Sequence, residues 1–202
     1  MNKGLLLVLS APSGAGKGTI IKRLMDDDRS LKLSVSATTR SPRPGEVDGE
    51  DYFFLSREEF DGLVKNGEML EHAEYVGNCY GTPKGPVESW LNDGLDVILE
   101  IDVQGGAQVK KIMPECVSIF ILPPSMRELE NRLRGRSTEK DEVVEARLEA
   151  ARKEVHCAED YDYVVVNDTV EQAVEEIKTI IAAEKHRFIR VSSIVERVLI
   201  DA

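Results

Sequence analysis

Cysteine, aromatic residues and excess positive charge are all scarce in this chain. Only three cysteines, Cys79, Cys116 and Cys157, occur in 202 residues, far apart and without a CxxC pair. That excludes a disulfide scaffold and fits reduced thiols in a cytoplasm. Lysine and arginine total 26 against 37 acids, a net charge of −11, which argues against a general nucleic-acid surface. An acidic protein that handles anions must gather its cations locally, so where the arginines cluster matters more than their number. His72, His156 and His186 are scattered and suggest no metal site, and the single Trp90 reads as core. No stretch approaches the ~18 apolar residues of a membrane span. The start, Met1-Asn2-Lys3 and then apolar residues, imitates a signal peptide, but the run is shorter than an h-region and no export is expected. Repeats and low-complexity segments are absent, and the length suits one domain with inserted lobes.

What is present begins with Leu5 to Leu9, five aliphatic residues that read as a buried parallel strand. Directly behind it lies Ala11-Pro12-Ser13-Gly14-Ala15-Gly16-Lys17-Gly18-Thr19, and then a segment of helical spacing from Ile20 to Met25. Strand, glycine-rich turn and helix are the context of a phosphate-binding loop. Glycines let backbone N–H groups point inward at an anion, the helix N-terminus adds partial positive charge, and Lys17 adds a full one. Two positions depart from the usual pattern. Ala11 stands in place of the first glycine, and Gly18 in place of the hydroxyl residue after the lysine, with Thr19 one residue late. A ligand-free turn is the plain alternative.

Further along, strand-like and helical stretches alternate. Strands are expected at Leu31–Val35, Phe53–Leu55, Glu68–Val76, Val97–Asp102, Cys116–Leu122 and Tyr163–Val166. Helices are expected from Ser56, whose Ser-x-x-Glu opening is a capping signature, and over Pro83–Leu91, Val103–Met113, Met126–Leu133, Asp141–Ala158 and Val170–His186. This order predicts an α/β fold with a mostly parallel sheet. Residues 36 to about 90 hold more loops and short strands, as an inserted lobe would. The tail, with apolar residues at Ile189, Ile194, Val195, Val198 and Leu199, reads as an appended helix, for self-association or for docking on its own core.

Several polar groups could carry chemistry. Arg40 and Arg43 lie three apart on a Gly/Pro-stiffened loop near Tyr52, and guanidinium forks bind phosphate oxygens bidentately. The alternative is a solvated basic turn paired with the acids at 46 to 51. Glu71 and Glu100 are acids beside apolar strands; a carboxylate there could accept from guanine N1–H and its exocyclic amine, donors that adenine lacks. Exposure at a strand end is the alternative. Asp102 ends a buried strand, as a magnesium-holding acid or as a helix N-cap. Arg132, Arg134 and Arg136, with Arg147 on the next helix, suit a flap that closes over a transferring phosphoryl group. A salt-bridged helix surface is the alternative for Arg134 and Arg152.

Together these segments resemble the guanylate kinase family of nucleoside-monophosphate kinases over about residues 4 to 185. The most specific part is Ser36-Ala37-Thr38-Thr39-Arg40-Ser41-Pro42-Arg43-Pro44-Gly45-Glu46 through Asp51-Tyr52-Phe53-Phe54. Gly77-Asn78-Cys79-Tyr80-Gly81-Thr82, Glu100-Ile101-Asp102-Val103-Gln104-Gly105, Arg132-Leu133-Arg134-Gly135-Arg136 and Val166-Asn167-Asp168 follow in the family's order. The resemblance implies a P-loop NTPase fold, with a central parallel sheet flanked by helices as core (4–35 and 95–185). It further implies a GMP-binding lobe (about 36–90), a lid (about 134–147) and a tail (186–202) outside the likeness. It implies magnesium-dependent, reversible phosphoryl transfer from ATP to GMP. Arg40, Arg43, Tyr52 and Tyr80 would hold the GMP phosphate, while Ser36, Glu71, Thr82 and Glu100 would read guanine. Lys17, Arg132, Arg136 and Arg147 would bind ATP phosphates and stabilise transferred charge. The loop Ala11–Thr19 would cradle the nucleotide, Asn167 would lie near adenine with Asp168 beside it, and Asp102 would orient magnesium through water. Many members carry serine where Gly18 stands, and aspartate is also common where Glu100 stands. A kinase for another acceptor, or a phosphopeptide-binding module that has lost catalysis, are the rival functions.

Overall fold

The computed structural model describes residues 3–135 and 141–200. Strand β1 (Leu6–Ser10) is buried along its whole length and runs into the glycine-rich loop and helix α1 (Lys17–Asp27). The edge strand β2 is only Lys32–Leu33, shorter than expected, although Ser34 N still donates to Ile98 O at 2.9 Å beyond it. Two further pairs, β3 (Ala37–Thr38) and β4 (Phe53–Phe54), precede α2 (Arg57–Lys65). The Ser56/Glu59 capping box at the start of α2 is formed in both directions, satisfying two of the helix's orphan N–H groups.

Next come β5 (Met69–Tyr75), β6 (Asn78–Pro83) and α3 (Lys84–Asn92). Strand β6 is absent from the sequence reading because Asn78, Gly81 and Pro83 are poor strand formers. Pro83, expected to open a helix, instead ends this strand and caps the helix from outside. The chain continues through β7 (Val97–Glu100), α4 (Val103–Ile112), β8 (Val117–Leu122), α5 (Met126–Arg134) and α6 (Asp141–His156). A 3-10 turn (Cys157–Asp160), β9 (Tyr163–Val166), α7 (Val170–Lys185) and α8 (Phe188–Ile200) complete it.

The strands form two sheets. The order β2-β7-β1-β8-β9 is parallel throughout, with α1 and α7 packed on one face and α3 and α4 on the other. The smaller sheet, β4-β3-β6-β5, draws entirely on residues 37–83 and pairs mainly antiparallel around a separate core of Ala37, Phe60, Met69 and Cys79. Fully burying a side chain the size of Phe60 contributes about 1.5–3 kcal/mol, so this lobe has its own apolar support. Buried Asp96 is matched by Leu5 N at 2.8 Å and Lys185 Nζ at 2.6 Å, tying the end of α7 to the sheet. The tail is helical as expected. Arg190 secures it, donating to Glu115 O at 2.9 Å and lying 3.5 Å from Glu184, while Phe188, Ile189, Ile194 and Val198 remain exposed.

A parallel sheet sends every strand's C-terminal end to one edge. The glycine-rich loop after β1, Asp102 after β7 and Asn167 after β9 therefore come together there.

Candidate active site

In the loop Ala11–Thr19, Gly14 and Gly16 hold φ of 93° and 95°, the left-handed region that glycine alone enters without strain. Gly16 precedes α1 with no side-chain cap, leaving the helix's first N–H groups turned to the hollow of the loop. Lys17 Nζ donates to Ile101 O at 2.9 Å, spanning from the loop to the end of β7. Burial lowers its pKa, and the carboxylates of Glu100, Asp102 and Glu154 oppose that shift.

Three elements close on this loop. Asn167 Nδ2 donates to Ala15 O at 2.7 Å, and a Cβ on Gly16 would lie only 2.4 Å from that amide nitrogen. Arg132, from α5, donates to Asn167 O at 3.1 Å and to Ala15 O at 3.5 Å, while Glu128 holds its Nε at 2.9 Å. Arg147, from α6, reaches Ser13 Oγ at 2.7 Å. A cavity of about 400 Å³ opens beside the loop between Thr19, Arg132, Asn167 and Asp168. Arg132 from α5, Arg147 from α6 and the Asn167–Asp168 pair after β9 thus converge on the glycine-rich loop. Arg136 lies outside the described residues. Arg134 belongs to the helix surface, paired with Glu130, Asp141 and Glu145.

Asp102 is the N-cap of α4, its Oδ1 accepting from Gly105 N at 2.8 Å. Cap and metal acid were alternatives in the sequence; the cap is present, and it holds the carboxylate in place at the sheet edge.

A second cavity, about 290 Å³, lies between the two sheets and is lined by Ser36, Tyr52, Glu71, Tyr80, Glu100 and Asp102. Glu71 is buried, 8% exposed, and its Oε1 accepts from Thr82 Oγ1 at 2.7 Å. Burial raises its pKa, the Thr82 hydroxyl works against that rise, and the Asp102 charge adds to it. Gly105 backs its other oxygen so closely that a Cβ there would sit 3.0 Å from Oε2. Glu100, in contrast, is exposed at the mouth.

At the rim, Arg40 lies 5.4 Å from the Tyr52 ring centroid, and Tyr52 meets Tyr80 edge-on at 6.3 Å. The acids at 46 to 51 do different jobs. Glu46 takes the Arg40 fork with both oxygens at 2.9 Å, and its Oε2 also accepts from Arg43 N at 2.7 Å. These bonds hold the Glu46 carboxyl down to about 2. Asp48 and Asp51 instead accept from the backbone of Phe54 and Val47. Arg43 projects from the same turn and is exposed. Sequence reasoning did not single out Glu46 as the orienter of Arg40; the signal was an acid within one Gly/Pro turn of both arginines.

Comparison with known proteins points to one family. The guanylate kinase family model matches residues 3–184. A guanylate kinase of Oceanobacillus iheyensis is 51% identical over 199 residues, covering 98% of this chain and 97% of the relative. One of Streptococcus thermophilus is 54% identical over 190 residues, covering 94% and 91%. The crystal structure of guanylate kinase from Anaplasma phagocytophilum superposes with a TM-score of 0.73 at 41% identity, covering 94% of this chain and 90% of that one. With likeness across both the phosphate loop and the arginine-bearing lobe, the chain belongs to the guanylate kinase family.

Proposed function

We propose that the chain transfers the γ-phosphoryl group of ATP reversibly to GMP, giving ADP and GDP. The observation that carries the reading is the buried Glu71–Thr82 pair, whose carboxylate lines a cavity walled also by Ile101, the residue that Lys17 reaches from the loop. An ionised Glu71, already oriented by Thr82, accepts from guanine N1–H and the exocyclic amine, while Ser36 lines the same cavity. Adenine offers no donors at those positions, so the pocket selects guanine. Arg40, Arg43, Tyr52 and Tyr80 take the GMP phosphate at the rim, with Glu46 holding Arg40 from behind.

The donor occupies the loop. Backbone N–H groups and the α1 N-terminus receive its phosphates, and Lys17 exchanges Ile101 O for a phosphate oxygen. Arg132 and Arg147 bring positive charge from the lid, joined by Arg136, and Asn167 and Asp168 border the space left for adenine. No covalent intermediate is required, because one phosphate oxygen attacks another phosphorus in line. Catalysis is positioning, charge neutralisation and exclusion of water.

Magnesium fits the donor set. Among the described residues no group of three His, Cys, Asp or Glu side chains could hold a metal alone, and Mg²⁺ typically takes one or two carboxylates with waters and substrate phosphates. Asp102 would hold it through water, and the ion would supply charge neutralisation at the ATP phosphates.

A binding module without catalysis would have no use for Lys17, Arg132 and Arg147 gathered on the loop. The sequence expectation of self-association rests on the exposed apolar residues of α8, and a sedimentation mass of twice the monomer would support it. The reaction itself is tested by incubating the protein with ATP and GMP and resolving the nucleotides. ADP and GDP should appear in equal amounts; ADP without GDP would overturn the reading.

A further inference from the structure

Strand β5 carries Glu71, yet it is the last strand in the order β4-β3-β6-β5. An edge strand turns one line of backbone N–H and C=O groups away from its neighbour, and these need partners elsewhere. At His72, the residue after Glu71, the partner comes from the core. Gln108 of α4 accepts from His72 N at 3.1 Å through Oε1, and its Nε2 donates to His72 O at 3.0 Å. A primary amide offers acceptor and donor side by side, so this one side chain stands in for a missing strand.

The same side of the helix meets Glu71 directly. Gly105 lies three residues before Gln108 and therefore neighbours it on the surface of α4. A Cβ built on Gly105 would sit 3.0 Å from Glu71 Oε2. Glu71 is thus located three ways: Thr82 bonds Oε1, Gly105 backs Oε2, and Gln108 fixes the adjoining backbone. Without Gln108, β5 would be held at this point from the β6 side alone. Glu71 must meet guanine N1–H and the exocyclic amine together, so a small tilt of β5 weakens both bonds.

We infer that Gln108 is a positioning residue for guanine recognition: by clamping His72 in both directions, it registers Glu71 against α4 and the sheet that carries the phosphate loop. The inference rests on Glu71 being the acid that reads guanine. Gln108 lines neither cavity of the site, and it acts through the strand, without touching nucleotide. A clamp that only secured the lobe would affect every acceptor alike, whereas a register for Glu71 acts on guanine in particular.

The test compares the parent with Gln108→Met, which keeps the side chain's length and removes both bonds. Lys110→Met serves as control, because it releases α4 from Asp162 without touching His72. Steady-state kinetics with GMP and AMP, thermal melts and amide hydrogen exchange at His72 are measured on the full chain. In Gln108→Met the His72 amide should exchange faster. KM for GMP should rise about fivefold or more, the scale of one lost neutral hydrogen bond, with kcat within twofold and the preference for GMP over AMP reduced by the same factor. Lys110→Met should leave that preference unchanged, whatever its melting temperature. Should Gln108→Met fail to fold, Gln108→Glu takes its place, keeping an acceptor for His72 N and losing the donor to His72 O, with the same expectations. Unchanged exchange at His72 would overturn the inference, as would unaltered KM and preference despite faster exchange. An equal fall for GMP and AMP, or the same loss of preference in Lys110→Met, would reduce Gln108 to an anchor of the lobe and overturn it too. A parent with no preference for GMP would sink the guanine reading itself, a separate result.

Discussion

Replacing Glu71 by glutamine probes the base pocket with the least change in shape. Oε1 already accepts from Thr82 Oγ1 at 2.7 Å, and the close approach of Gly105 leaves Oε2 little room to move. An amide can keep the Thr82 bond through its oxygen, but it then turns an NH₂ toward the two guanine donors. At least one charge-assisted hydrogen bond is lost, worth about 1.5–3 kcal/mol. At about 1.4 kcal/mol per tenfold, kcat/KM for GMP should drop by roughly 10- to 150-fold, and the preference for GMP over AMP should shrink with it. The pH profile adds a second readout. Burial raises the Glu71 pKa in the free protein, whereas guanine's donors favour the ionised form. GMP binding therefore releases a proton and weakens as pH falls through that raised value. The phosphate of GMP itself titrates near a pKa of about 6, so the limb due to Glu71 is the part that the glutamine variant abolishes. The fold has the opposite dependence. A carboxyl whose folded pKa exceeds its unfolded one takes up protons on folding, so its contribution to stability declines as pH rises through that window. The glutamine variant should consequently melt no lower than the parent at neutral pH. Steady-state kinetics of ADP release with GMP and AMP, from acid to neutral pH, checks all three points. Retention of GMP activity within threefold, with selectivity and pH profile unchanged, would refute the pocket assignment.

Lys17→Ala should abolish turnover yet leave GMP binding intact by calorimetry, since the lysine bonds to Ile101 O and does not itself line the guanine cavity; near-normal turnover would remove its role. Gly105→Ala should raise KM for GMP more than it lowers kcat, because the new methyl meets Glu71 Oε2 at 3.0 Å; unaltered GMP kinetics would contradict that contact. Glu46→Gln should raise KM for GMP by loosening Arg40, with kcat largely kept. Its folded pKa near 2 means that whatever the pair contributes to stability is lost only as pH falls toward that value, so this variant should leave the acid limb assigned to Glu71 in place. Tighter GMP binding by Glu46→Gln would show that the carboxylate competes with the phosphate instead of orienting its receptor.

Much of the architecture was legible because its signals are local. Leu5 to Leu9 reads as a buried strand from its unbroken aliphatic run, and the structure has β1 there, buried along its length. Ser56 and Glu59 announced α2 by their capping chemistry. Strand β6 was illegible for the converse reason. Its pairing with β3 and β5 is a non-local stabilisation that overrides the poor propensities of Asn78, Gly81 and Pro83. The same division holds at the site. The phosphate loop is a contiguous motif, while Arg132, Arg147 and Asn167 reach Ala15 and Ser13 from more than a hundred residues away; the clustered arginines suggested a closing flap, and the family likeness alone pointed to Asn167. Spacing alone could not choose among the acids at 46 to 51. Three-dimensional packing gives Glu46 to Arg40 and sends Asp48 and Asp51 to the backbone.

The central claim is that a buried acid beside Thr82 makes this kinase choose guanine. The most direct measurement is ADP release from ATP with GMP, AMP, CMP and UMP, each over a full concentration range. The account predicts turnover with GMP and a kcat/KM for each of the others lower by orders of magnitude. Equal values for GMP and AMP would contradict it.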